Sequence, residues 1–193
     1  MSRLDPIAEF RQVYARAGED APFDVTACTL ATSGADGRPT ARMVLLKKVD
    51  ERGFSFFTNY ASRKARQLAE NPQAALCFHW PWIEEQVRVE GRIEILPAEE
   101  SDAYYRSRGR GSQLGAWASR QSEPMPSRAA LLWRVAKVEA RHVGGPVPRP
   151  PFWGGYLLVP DRIELWHGRP DRLHDRHLFL RQDDEWTDQR LYP

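Results

Sequence analysis

The chain has 193 residues, a formal charge of +2, 41% hydrophobic and 28% charged residues, which is the balance of one ordinary globular domain. No apolar run approaches the roughly 18–20 residues of a membrane span, and Met1-Ser-Arg-Leu-Asp-Pro has no apolar stretch of the kind that opens a secretory signal. Its two cysteines, Cys28 and Cys77, support neither a disulfide framework nor a zinc site, so buried thiols in a reducing cytoplasm are expected.

Asp5 to Ala17 is predicted as a helix, with Ile7, Phe10, Val13 and Tyr14 at three- and four-residue spacing, Asp5 as cap and Pro6 at the first helical position. Three antiparallel strands are expected next: Val25–Thr32, Thr40–Lys48 and Phe54–Thr58, with turns at Gly34–Pro39 and Asp50–Gly53. Ser62 caps a short helix through Ala69, stopped by Asn71-Pro72. Strands Ala74–Trp80 and Gln86–Leu96 follow. A helical block runs from Ala98 to Trp117, interrupted near Gly109–Gly111. Beyond a polar loop, Ser119–Ser127, come a helix over Arg128–Ala140 and a Pro-rich linker, Gly144–Pro151. Strands Gly155–Val159, Arg162–His167, Leu173–Arg181 and Glu185–Leu191 end the chain. Many short antiparallel strands with inserted helices predict an α+β, mainly β, closed or split barrel. Neither G-x-G-x-x-G nor a Walker loop is present, so any phosphate must be held by side chains.

Four segments carry chemistry. Arg42 and Lys47 lie on one predicted strand and point to opposite faces unless a bulge intervenes; they are either ordinary charged strand ends or ligands for two different groups. Ser62-Arg63-Lys64 opens a helix with a hydroxyl and two cations where acidic residues are usual, a pattern suited to an anion. Tyr104, Arg108 and Ser112 share a helix face if the helix continues through Gly109 and Gly111. That Arg/Gly/Ser-rich stretch reads equally as a phosphate site or as a nucleic-acid tract with Arg106 and Arg110. Arg172, His174 and Arg176 alternate along a predicted strand, which would put all three on one face, where burial calls for an anion.

Taken in order, Arg42–Lys47, Ser62-Arg63-Lys64, Tyr104 through Ser119-Arg-Gln-Ser122, Phe152-Trp-Gly-Gly155 and Glu164-Leu-Trp166…Arg172-Leu-His-Asp-Arg176 resemble the pyridoxine/pyridoxamine 5′-phosphate oxidase family, from about Phe23 to Pro193. The resemblance implies an FMN-binding split β-barrel with peripheral helices over residues 1–193, and a dimerisation and substrate segment from about 150 to 193. It implies a homodimer with FMN at the interface, oxidising pyridoxamine or pyridoxine 5′-phosphate with O₂. FMN would be held by Arg42, Met43, Val44, Leu45, Lys47, Phe57, Thr58, Arg63, Lys64, Gln86, Gln121, Ser122, Trp166 and Arg176. The substrate phosphate would meet Lys47, Tyr104, Arg108 and Ser112, with Arg172 and His174 as the catalytic pair near the ring. Two departures stand out. Phe57 replaces a common Tyr, and only four residues precede Asp5 where relatives carry a longer segment, so weaker or differently arranged substrate shielding is expected. The rival readings are a phenazine-type oxidase of the same fold, a non-catalytic flavin or PLP carrier, and a nucleic-acid binder; no metal, membrane or nucleic-acid partner is expected.

Overall fold

The structure, a computed structural model, describes residues 4–183 and 185–193. Helix α1 (Pro6–Gly18) starts where its cap demands, with Asp5 accepting from the Ala8 amide at 2.9 Å. Its buried stripe of Ile7, Phe10, Val13 and Ala17 faces the barrel. There Phe10 meets Phe54 edge-on at 4.8 Å and Phe78 at 5.1 Å between ring centroids.

The strands are β1 (Ala27–Ser33), β2 (Pro39–Leu45), β3 (Lys48–Asp50), β4 (Gly53–Asn59), β5 (Gln73–Trp80), β6 (Glu85–Ile95), β7 (Trp153–His167), β8 (Asp175–Gln182) and β9 (Glu185–Leu191). Helix α2 (Arg63–Glu70) sits between β4 and β5. Helices α3 (Ala98–Ser107), α4 (Arg110–Ala118) and α5 (Arg128–Arg141) lie between β6 and β7. The sheet runs β2-β1-β5-β6-β7-β4-β3, with β8 and β9 branching from β7, and the pairings are antiparallel. Leu30, Phe54, Phe56, Leu76, Phe78, Val87, Val89, Leu158, Ile163 and Phe179 fill the interior. Each contributes about 1.5–3 kcal/mol by burial. This is an α+β, mainly β, split barrel with peripheral helices. Among the described residues no helix is long and apolar enough to cross a membrane.

Strand β7 explains the split. The sequence predicts two strands, Gly155–Val159 and Arg162–His167; the structure joins them into one strand that changes partner midway. Its first half pairs with β4 and its second half with β8, while β6 follows both. The changeover is a register shift at Glu90/Gly91 opposite Pro160, which lacks an amide to donate. A Cβ on Gly91 would stand 2.1 Å from the Val159 carbonyl oxygen, so only glycine fits.

Three expectations are corrected. Thr40–Lys48 is not one strand: β2 ends at Leu45 and β3 begins at Lys48. Nor do the first three expected strands form a simple meander, because β4 pairs with β3 and β7 rather than with β2. Arg172, His174 and Arg176 do not alternate on one strand. Pro170–Arg172 is a 3₁₀ turn in which Asp171 and Arg172 have φ of 57° and 62°, and β8 starts only at Asp175. Pro170 and the left-handed pair after it break the extended run on which period-two reasoning depends.

Candidate active site

The chain changes sides between β2 and β3. The Leu46 amide donates to the Thr26 carbonyl beside β1, and the next amide, Lys47, donates to the Ser55 carbonyl of β4. One edge of a cleft is thereby built from Met43, Val44, Leu45 and Lys47, with Phe57, Thr58 and Asn59 beside them. Lys64 from α2, Tyr104, Arg108 and Ser112 from the α3–α4 region, then Ser119, Gln121 and Trp153 complete a cleft of about 420 Å³.

Its electrostatics are lopsided. Lys64 is only 8% exposed, and its Nζ donates to Thr58 Oγ1 at 3.0 Å, Ser62 Oγ at 3.3 Å and Gln121 Oε1 at 3.3 Å. All three partners are neutral, and burial, reinforced by the Arg42 charge, pushes this ammonium down to about 8. Arg42 is likewise held by neutral oxygens: Leu30 O at 3.0 Å, Thr32 Oγ1 at 2.6 Å and Thr40 Oγ1. Burial and the nearby Arg63 lower its pKa too. Ser62 caps α2 by accepting from the Ala65 amide, and no acidic residue occupies the first turn. Cations with neutral partners beside a helix N-terminus are chemically suited to a phosphate dianion.

At the other side of the cleft the Phe57 ring stacks on Tyr104 at 4.0 Å and on Trp153 at 5.6 Å. Gly155 permits this: a Cβ there would stand 2.7 Å from Phe57 Cε1. Tyr104, Arg108 and Ser112 do line one cleft, although not as one helix face. Gly109 caps α4, and Arg108 sits extended between the two helices. Arg108 Nη1 is buried without a hydrogen-bond partner, the mark of a donor awaiting an anion. Arg110, by contrast, is occupied with the His142 and Gly145 carbonyls, which weakens the nucleic-acid reading of this stretch. Trp153, Asn59 and Ser119 also line the cleft; Trp153 belongs to the Phe152–Gly155 motif and Ser119 to the stretch from Tyr104 to Ser122, the signals that point to them.

The remaining expected residues lie elsewhere. Gln86, Trp166 and Arg176 stand side by side across β6, β7 and β8, on the face away from the barrel core. The His174 ring lies 4.5 Å from that of Trp166, and its Nδ1 accepts from the Arg169 amide at 3.2 Å. Arg176 Nε donates to the buried Glu164 at 2.8 Å, and Arg88 stands 3.7 Å from the same carboxylate. None of Gln86, Trp166, Arg172, His174 or Arg176 lines the cleft of Lys64 and Arg108. Arg63 and Ser122, both exposed, lie outside its lining as well, and so does Arg42. Of the two thiols, Cys28 is buried and pushed up to about 12, whereas Cys77 is only half-buried.

The split barrel and the cationic, aromatic-walled cleft at its edge place the chain in the class of split-barrel oxidoreductases. Within that class the chain belongs to the pyridoxine/pyridoxamine 5′-phosphate oxidase family. Residues 19–142 match the family model for pyridoxamine 5′-phosphate oxidase, and residues 153–193 match that for the pyridoxine 5′-phosphate oxidase C-terminal dimerisation region. The pyridoxine/pyridoxamine 5′-phosphate oxidase of Anaeromyxobacter dehalogenans is 59% identical over 98% of this chain and 96% of its own length. That of Myxococcus xanthus is 55% identical, over 98% and 92%. Among solved structures, PhzG from Burkholderia lata, in complex with tetrahydrophenazine-1-carboxylic acid, superposes with a TM-score of 0.93 at 32% identity, covering 98% of this chain and 93% of that one. An FMN-binding, pyridoxamine 5′-phosphate oxidase-related protein of Nostoc punctiforme shares the fold at a TM-score of 0.79 and 21% identity over both full chains.

Proposed function

We propose that the protein is a cytoplasmic, homodimeric FMN-dependent oxidase that converts pyridoxamine and pyridoxine 5′-phosphates to pyridoxal 5′-phosphate. The carrying observation is the pair of unmet cationic positions in one cleft: Lys64 among neutral oxygens, and Arg108 with a buried, unpartnered Nη1. Two such positions suit two phosphates, one on the cofactor and one on the substrate. Lys64 and Arg42, with Arg63, Thr58 and Gln121, would hold the FMN phosphate; Lys47, Tyr104, Arg108 and Ser112 would hold that of the substrate. Bound FMN supplies the two-electron acceptor, regenerated by O₂ with release of H₂O₂.

The chain's own residues then bind and orient. A doubly anchored phosphate limits how the substrate ring can turn, and each charge-assisted hydrogen bond contributes roughly 1.5–3 kcal/mol. His174 accepts from the Arg169 amide through Nδ1, so its neutral ring carries the proton on Nε2 and can donate to a substrate oxygen. Arg172 and His174 lie outside the cleft, as do Gln86, Trp166 and Arg176. A two-fold dimer through the 150–193 segment would let the cluster on one protomer complete the cleft of its partner.

The decisive experiment is anaerobic mixing of FMN-loaded protein with pyridoxamine 5′-phosphate, following the flavin absorbance. Bleaching that air reverses, with formation of pyridoxal 5′-phosphate, is the expected result; an unchanged spectrum despite bound FMN would refute the substrate assignment. Shared sites have their own test. Mixed dimers of Lys64→Ala and Arg172→Ala should recover about a quarter of wild-type sites, because half the dimers are mixed and each holds one intact site. A second reading, oxidation of a reduced carboxylated ring, is favoured by the likeness to PhzG. The same spectral assay with a dihydrophenazine carboxylate separates it from the first.

A further inference from the structure

The geometry points to Trp153 as a positioning residue that makes the cleft selective for a phosphorylated ligand, by holding the Arg108 guanidinium flat so that its edge faces the anion. The inference rests on the functional reading above.

Arg108 lies between two helices, on the extended residue that ends α3, where its backbone alone gives the side chain little constraint. Its Cζ lies 4.7 Å from the Trp153 ring centroid and 5.9 Å from that of Tyr105. A guanidinium placed on an aromatic face keeps its N–H groups in the plane, free to form a fork toward a phosphate. Face contact satisfies the cation without using up a donor, which accounts for a buried Nη1 that lacks any hydrogen-bond partner. A carboxylate in the place of the ring would anchor the arginine equally well, but would compete with the phosphate for the same hydrogens.

The platform itself is firmly held. Trp153 is 6% exposed and lies parallel to Phe57 and Tyr104, with interplanar angles of 13° and 11°. The Tyr105 ring meets it edge-on at 5.2 Å. Its amide donates to the Pro150 carbonyl at 3.1 Å, and its own carbonyl accepts from Arg149 Nη1 at 2.6 Å. The helix junction that carries Arg108 is also braced by hydrogen bonds in which the indole takes no part, Tyr105 Oη donating to Gln113 O at 2.8 Å and Gln113 Nε2 donating to Tyr105 O at 3.1 Å. Removing the indole therefore frees the guanidinium while the junction that bears it stays in place.

The test uses FMN-loaded wild type, Trp153→Leu and Trp153→Phe, and compares binding of pyridoxal 5′-phosphate with that of unphosphorylated pyridoxal by fluorescence titration. Wild type should prefer the phosphorylated ring. Trp153→Leu should lose about tenfold of that preference by weakening the phosphorylated ligand alone, and Trp153→Phe, which keeps an aromatic face, should recover most of it. Equal weakening of both ligands, or a Phe variant no better than Leu, would show a merely structural role and overturn the proposal. A wild type indifferent to the phosphate would instead refute the functional reading, and the proposal would fall with it.

Discussion

Lys64 offers the most informative perturbation, because charge removal there should move cofactor affinity more than stability. Holding the ammonium near 8 instead of 10.5 corresponds to about 3 kcal/mol against the charged form, or about 2 kcal/mol once screening through the open cleft is allowed for. Lys64→Met removes that burden and also three hydrogen bonds to neutral acceptors, worth about 1 kcal/mol each and roughly 3 kcal/mol together. The apoprotein variant should therefore lose about 1 kcal/mol, or roughly 2–4 °C in melting temperature. FMN binding should weaken by about 10–150-fold for the loss of one charge-assisted contact. The pH dependence has a definite sign. With the folded value depressed, the unfolded chain holds more protons between pH 8 and 10.5, so wild-type apoprotein stability rises across that window. FMN affinity falls as pH climbs through 8, because the anion needs the protonated amine. Differential scanning of the apoproteins and flavin fluorescence titration from pH 7 to 9.5 read both effects. An apo variant that no longer folds, or one that holds FMN as tightly as wild type, would refute the reasoning.

Four other substitutions follow from the same geometry. Glu164→Gln leaves Arg176 and Arg88 without their shared carboxylate and should cost about 2–4 kcal/mol in urea denaturation; an unchanged midpoint would contradict the ion-pair account. Gly91→Ala forces a Cβ against the Val159 carbonyl and should lower stability by about 3 kcal/mol or more, seen as a drop in melting temperature, with a wild-type value counting against the register shift at that point. Arg172→Ala and His174→Ala should cut turnover about tenfold or more while the FMN dissociation constant stays within about threefold. Equal loss of flavin would reverse the division of roles.

Local signals were readable where the responsible physics is local. Asp5-Pro6 and Ser62 mark helix starts, and each does so in the structure, while the interruption expected near Gly109–Gly111 falls at the junction of α3 and α4. The alternation of β6 and the inward Phe residues of β4 and β5 follow from side-chain periodicity. What escaped depends on partners distant in sequence. Nothing in Thr40–Lys48 announces that Leu46 and Lys47 donate to different sides of the barrel. Nothing near Val159 reveals that one strand serves two neighbours. The 172–176 spacing reads as a strand face because Arg172, unlike Pro170 and Asp171 before it, is not a turn residue and yet takes a left-handed conformation. Trp153 reads as core until Arg108, far along the chain, is seen to rest on it.

The pairing of β4 with β7 ties the cleft to the order of synthesis. Phe57 and Thr58 are held in register by Gly155 and Gly154, which leave the ribosome long after them. Until that late strand arrives, β4 has only the three-residue β3 beside it, and the aromatic wall lacks Trp153. A growing chain therefore has no complete cleft until the first half of β7 has been made. Uptake of the proposed flavin would wait on that strand, and holding it would report that β7 has reached its place beside β4.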